Sequence, residues 1–551
     1  MGHLFFYLFA VAACLLWSAA FVAAAARTER AWFRRLLAAI AVLVPPLSLI
    51  PFVGLTGVLA FVARIETNWF APTLTACIAA LAGGLSILWA GLSRDASTGG
   101  FVAAAWPVVG LAAMFVMAKA VAFGTLLCID NAVAAEARAI RAEATHLMLA
   151  NLPPQPLPDD DAAPLYVRAA RAFEADKPTF YEQSPASDPL TADPGSPDVA
   201  AILERHAATL DLVRRAADSP GCRFDRDWSR PSGSMLLPQI HTLRSAARLL
   251  ALAARRSAAA GDAAGGLRDI VRIQRIGAHA AAEPLLLSGL VGVAIDAQAL
   301  EMLASVLPAM RNEDLPLLDG EEFCDRLATP VSLARGMRGE EALGLATFAD
   351  LADGRPRLSE LFELTEPAAA RWTDAAPVAL LFRSFLLPAD IAGYRKSIGT
   401  LQALADRLTG PDREPYPAIE KQIDACESNR PMQRAGVVTA LLVPAPVTLL
   451  PAQARGLALH EAAAVLVAAT RARLASGSVP ESIDALVPRW LPAVPRDPFT
   501  TDAPLRWKQE GDTLLVNSVG KDGEDDGGPP APDAERSQGN DDVGLRMTVG
   551  R

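Results

Sequence analysis

The sequence has few of the residues from which active sites are commonly built. Six cysteines occur in 551 residues, and no two are spaced as C-x-x-C, which excludes the usual zinc and thioredoxin-like motifs. Six histidines are scattered at positions 3, 146, 206, 241, 279 and 460, with no close pair to share a metal. His460-Glu461 opens like a metalloprotease helix, but Ala464 stands where the second zinc-binding histidine would be, and one ligand cannot hold the ion. Gly520-Lys521 has no glycine five residues ahead, so it is not a phosphate-binding loop. A GxSxG nucleophile elbow is also absent. Positive charge is short as well. Lys and Arg number 51 against 61 Asp and Glu, and an acidic chain lacks the basic face that nucleic acid requires.

Apolar residues are plentiful, at 52% of the chain, more than an ordinary soluble domain carries. They concentrate at the start, in runs at Leu4–Ala26, Leu36–Ala63, Trp69–Leu92 and Phe101–Cys128. Each run reaches the ~20 residues needed to cross a bilayer as a helix. The first resembles a signal peptide, but no Lys or Arg precedes it, whereas Arg27, Arg30, Arg34 and Arg35 follow it. That order is the reverse of a signal peptide's. The positive-inside rule then puts this arginine loop in the cytoplasm and everything after the fourth run outside. Up to Asp130 the chain carries seven Lys and Arg against four Asp and Glu, so the remainder holds 44 against 57 and is strongly acidic. Pro45, Pro46 and Pro51 interrupt the second run, and Lys119 lies in the fourth. Lys119 is roughly 27 Å along the helix from Phe101, near the outer interface, where it can snorkel.

The expected organisation is mainly α. A four-helix transmembrane region covers 1–130, a stalk and linker 131–164, and an extracytoplasmic helical domain 165–455. A small α+β module with a short antiparallel sheet covers 456–528, and a disordered tail 529–551. Within the helical domain, a run holding Leu249, Leu250 and Leu252 ends at Gly261-Asp262. An amphipathic run through Leu267, Ile270 and Ile273 ends at Glu283-Pro284, and a third helix follows over Leu285–Leu307. The hairpin is tetratricopeptide-like but does not repeat, which favours one packed domain over a solenoid. Gly436–Leu450 is apolar, short and split by Pro444 and Pro446, so it reads as a core segment rather than a fifth span. Cys222, Cys324 and Cys426 lie in the acidic part, where one disulfide among them is open.

One stretch carries chemistry. Asp522-Gly-Glu524-Asp525-Asp526-Gly527 places oxygen ligands at loop positions 1, 3 and 5 ahead of a glycine, with Asp533 at position 12. Calcium takes six to eight such hard oxygens. Against this, Pro529, Pro530 and Pro532 do not suit an EF-hand loop, and the alternative is a solvated acidic tail.

Several motifs then stand in a specific order. They are Gly477-Ser-Val-Pro480, Ile483-Asp-Ala-Leu486, Leu491-Pro492, Val494-Pro-Arg-Asp-Pro-Phe499 and Asn517-Ser-Val-Gly-Lys-Asp-Gly-Glu-Asp-Asp-Gly-Gly528. This order resembles the globular half of the major pseudopilin of type II secretion, over roughly 70 residues. The resemblance implies a long helix, a proline-marked crossing, a small antiparallel sheet and a calcium loop held around Ser518, Asp522, Asp525 and Asp526. The pseudopilin leader motif does not precede the helix, so the resemblance implies a borrowed module rather than a polymerising pilin. The run from Cys222-Arg-Phe-Asp-Arg-Asp-Trp228 to Leu250 is similar to that of a group of exported bacterial proteins anchored in the membrane. The expectation is a non-enzymatic protein of the bacterial inner membrane. Its helical body would bind an envelope protein partner, and Ca2+ would stabilise the C-terminal module. Two alternatives are a carboxylate-dependent envelope hydrolase and a sensor acting through a membrane partner.

Overall fold

The computed structural model describes residues 132–180, 188–232, 235, 237–355, 382–410, 412–428, 436–443, 446–529 and 540–549. The four expected membrane spans, with Lys119 and the prolines of the second, lie outside the described residues. The chain divides into two compact units, Met1–Ala135 and Glu136–Arg551. The second is mainly helical with one small antiparallel sheet.

The second unit opens within a helix over 132–150, α1. From Glu136 onward it is no free stalk. Ala137, Ile140, Ala144 and Met148 are buried at three- and four-residue steps, a stripe that must pack against something. Arg141 pairs with Asp350 and Asp353, and Asn151 accepts from Arg338. The expected linker is tied down too. Asp161 bridges to Gly221, and its carboxylate accepts from the backbone of Ala163 and Arg223. Helices α2 (Ala163–Ala175), α3 (Pro197–Arg205) and α4 (Ala207–Asp218) follow.

The body is built on three helices whose limits the sequence marks. α5 (Gln239–Ala259) ends before Gly261, and Asp262 caps α6 (Ala263–Ala281) by accepting from Gly265 N at 2.7 Å. Glu283-Pro284 then breaks the chain ahead of α7 (Leu286–Val306). α6 buries Leu267, Ile270, Ile273 and Ile276 on one face, each side chain contributing about 1.5–3 kcal/mol. α7 is apolar on every side and packs against α5 and α6. The stretch Leu286–Ala309 is long and apolar enough to cross a membrane, but 67% of its 18-residue apolar window is buried inside the protein. It is therefore read as a core helix.

α8 (Glu321–Ala328) leads to α9 (Ala334–Ala352). Gly339 lets α9 pass directly over the α6–α7 break, since a Cβ there would lie 1.7 Å from Pro284 O. α10 (Leu387–Thr409) and α11 (Tyr416–Ser428) complete the body. Buried Asp390 accepts from Val438 N and Thr439 N at 2.9 and 2.8 Å and so caps α12 (Val437–Leu442). The Gly436–Leu450 stretch is thus a short helix and the start of another, with Val438, Leu449 and Leu450 buried and Leu441 exposed.

The long helix α13 (Pro446–Ser476) joins body and C-terminal module. It packs against α7, α8 and α11 on the body side and carries the sheet along its length. A crossing with Ile483, Leu486, Leu491 and Phe499 buried leads to β1 (Arg506–Glu510) and β2 (Thr513–Ser518). The expected disordered tail is corrected here. Residues 543–548 form β3 (Val543–Thr548), antiparallel to β2 with Val516 opposite Leu545. Val543, Leu545 and Met547 are buried at alternate positions, which is the period of a strand with one face on a core. Thr470 of α13 reaches the Met547 sulfur, so this face of the sheet rests on α13.

Candidate functional site

The acidic loop follows β2 and folds back over the face of the sheet opposite α13. Gly528 packs on Leu515, and Arg546 donates to Pro529 O at 2.9 and 2.7 Å. Its root is fixed by Asp497 of the crossing. This buried carboxylate accepts from Ser518 Oγ at 2.6 Å, Phe499 N at 2.9 Å and Val519 N at 3.0 Å. Ser518 Oγ in turn accepts from Gly520 N at 3.2 Å. The Ser518 hydroxyl is therefore engaged by Asp497 beneath the loop and is not turned toward the acidic side chains. Gly520 has φ +68°, and a Cβ there would lie 1.9 Å from Asp541 O, so the loop and the entry to β3 touch along the backbone.

Asp522, Glu524, Asp525 and Asp526 are exposed. Asp522 accepts from Glu524 N at 3.0 Å, Asp525 from Gly527 N at 3.1 Å and Asp526 from Asp541 N at 3.3 Å. Arg506 lies 3.6 Å from Asp525. Among the described residues no group of three His, Cys, Asp or Glu side chains is gathered closely enough to hold a metal ion as it stands.

The residue that the sequence reading missed is Asp542, at the entry to β3. It is 3% exposed, and its Oδ2 accepts from Gly528 N at 2.6 Å and Asn517 Nδ2 at 3.3 Å. Its Oδ1 is buried with no hydrogen-bond partner, an arrangement that costs free energy unless something fills it. Burial pushes the Asp542 carboxyl up to about 6, and the nearby charges of Asp525, Asp526 and Asp522 push in the same direction, outweighing the Gly528 N–H. A carboxyl held above its ordinary value destabilises the fold where it must be ionised. Acidification from neutral pH toward 4 relieves that cost, so the C-terminal module should become more stable over that range.

The body's buried polar groups are mostly tied to one another. Asp269 takes a two-point contact from Arg214, at 3.0 and 2.6 Å, and a third from Arg272. Glu283 accepts from Gln239 at 2.8 Å and Ser288 at 3.1 Å. Burial pushes the Glu283 carboxyl up even though Arg226 and these donors favour its charge. Tyr166 meets His279 Nδ1 at 3.1 Å, and burial pulls that imidazole down to about 4. Of the three cysteines among which the sequence leaves a disulfide open, Cys222 and Cys324 are free thiols. Burial pushes the Cys222 thiol far above its ordinary value, the opposite of what a reactive cysteine needs. His460 is no metal ligand. It is 4% exposed, with Nε2 2.6 Å from Asp296 Oδ2 and Nδ1 2.8 Å from Leu327 O.

No family model matches the chain, and neither the curated proteins nor the solved structures contain a match.

Proposed function

We propose that the chain is a non-enzymatic, membrane-anchored extracytoplasmic protein whose helical body serves as an interaction domain. In this reading a calcium ion locks the C-terminal module closed. The orphaned, buried Asp542 Oδ1 carries the calcium reading, because it stands among the carboxylates of the loop that resembles a pseudopilin calcium site. Asp542, Asp522, Asp525 and Asp526 would supply the side-chain oxygens, and Glu524 would lie at the rim. Ser518 would act through its tie to Asp497, holding the loop root in place. Asp522, Asp525 and Asp526 are exposed, so turning them inward orders few neighbours. The ion would offset the repulsion that now raises the Asp542 carboxyl. It would also fasten the entry of β3 to the loop after β2, closing the sheet across residues far apart in the chain. An envelope protein would be the partner of the body, and the apolar runs before residue 131 would anchor it to the inner membrane.

Calcium titrated into the full chain in detergent micelles tests the site. One saturable site is expected, weakened about tenfold or more by Asp542→Ala or Asp526→Ala, since even the loss of an outer-shell partner costs about 10–100-fold in metal affinity. Absence of saturable heat in the wild-type protein would overturn the reading.

A further inference from the structure

A second polar device lies along α13 where it faces the helical body. His460 and Gln453, seven residues apart on α13, grip the last turn of α8 and the segment that leads on to α9. Gln453 Nε2 donates to Val331 O at 2.9 Å, and its Oε1 accepts from Leu333 N at 3.0 Å. His460 Nδ1 faces Leu327 O at 2.8 Å, while its Nε2 faces Asp296 Oδ2 of α7 at 2.6 Å. Val331 N reaches the same Asp296 oxygen at 3.5 Å, and Gln274 of α6 donates to the other at 3.4 Å.

We propose that His460 and Asp296 form a proton-operated latch on residues 327–333, closed while the imidazole carries two protons and released when it loses one. The argument is a count of protons. A carbonyl oxygen only accepts, so Nδ1 must carry a hydrogen to bond Leu327 O. With a single proton placed there, Nε2 would turn a bare lone pair toward a carboxylate oxygen 2.6 Å away, in a site from which water is nearly excluded. The closed geometry therefore needs a second proton in the pair, and carried by the ring it makes the imidazolium.

The surrounding charges agree. Burial, the largest influence, pulls the imidazole down. The Asp296 hydrogen bond and charge, Leu327 O and the charge of Glu461 push it up, and the balance leaves it above its ordinary 6.5. Glu461, on His460's own helix, is paired with Arg413 at 3.0 Å. From α8, Arg326 is close enough to Asp296 for that carboxylate to favour its charge. A histidine raised in the folded state contributes stability that is fully present below its unfolded value, and that stability is lost as pH rises through the folded value.

Hydrogen exchange on the full chain in detergent micelles, between pH 5.5 and 8.5, tests the latch. Corrected for intrinsic rate, protection of the Val331 and Leu333 amides should fall by up to about tenfold for each pH unit above 6.5, until the folded value is passed. Ile270 and Ile273, in α6, should hold their protection. In Asp296→Asn the side-chain amide can donate to Nε2 of a neutral ring, at the expense of the Val331 N–H that shares that position, so Leu333, which donates to Gln453, is the reporter and its protection should be flat with pH. Imidazole 15N shifts of the wild-type protein provide a reading that needs no variant, and both His460 nitrogens should be protonated at pH 6. A neutral ring at pH 6 overturns the latch. So does wild-type protection at Val331 and Leu333 that ignores pH, or the same slope at Leu333 in Asp296→Asn.

Discussion

Replacing Asp497 with alanine is expected to cost on the order of 4 kcal/mol and to release the sheet from the crossing that precedes it. The carboxylate is 2% exposed and is the shared acceptor for the Ser518 hydroxyl and for the Phe499 and Val519 amides. Hydrogen bonds to a charged group contribute about 1.5–3 kcal/mol each, and alanine would strand three buried donors at once. The tie extends into the body, because Tyr416 N donates to Pro498 O at 2.8 Å and the Tyr416 and Phe499 rings sit 5.3 Å apart. Ser518→Ala removes one of the three donors, and the acceptor of Gly520 N, and should cost about 2 kcal/mol. Chemical unfolding of the three proteins side by side measures this. A loss in Asp497→Ala no larger than in Ser518→Ala would show that the carboxylate is not the junction.

The second large effect concerns packing. Gly339→Ala raises helix propensity by about 1 kcal/mol in isolation. Here the new Cβ would meet Pro284 O at 1.7 Å and Pro284 C at 2.5 Å, and neither is the movable end of a side chain. α9 must shift off the α6–α7 break, dragging its contacts with α7 and α10. Overpacking of this kind costs typically 1–3 kcal/mol and sometimes more, so the net expectation is a loss of roughly 2 kcal/mol. Gly399→Ala in α10 is the matched control, with nothing within 4 Å of its Cβ. It should be neutral or stabilise by up to about 1 kcal/mol. Unfolding midpoints that move in the same direction for both variants would contradict the close approach.

Local signals made part of this fold legible. The Gly261-Asp262 turn and the Glu283-Pro284 break bound α5, α6 and α7 where the periodicity of Leu267, Ile270 and Ile273 requires. The order of proline and glycine motifs after Ser476 likewise foretold a helix, a crossing and strands. Long-range pairing was not legible. Val543, Gly544 and Leu545 follow a proline-rich acidic stretch that reads as tail, and only their register with β2 makes them a strand. Asp542 reads as one more acid in an acidic run, and its burial is decided by Gly528 and Asn517. Helix 132–150 reads as a stalk because alanine hides its buried stripe of Ala137, Ile140, Ala144 and Met148. His460 tested as a zinc ligand fails, while its real partners, Asp296 and Leu327, lie more than a hundred residues away.

Thermal unfolding of the full chain in detergent micelles, in calcium and in chelator, tests the central claim most directly when Asp542→Asn is run beside the wild type. A ligand that binds only the folded state raises stability by mass action. Calcium should raise the wild-type midpoint clearly and that of Asp542→Asn much less at the same concentration. In chelator at neutral pH, Asp542→Asn should be the more stable of the two, since it removes a buried carboxylate pushed up to about 6 by burial and by Asp525, Asp526 and Asp522. A wild-type midpoint indifferent to calcium, or a full calcium response in Asp542→Asn, would contradict the account.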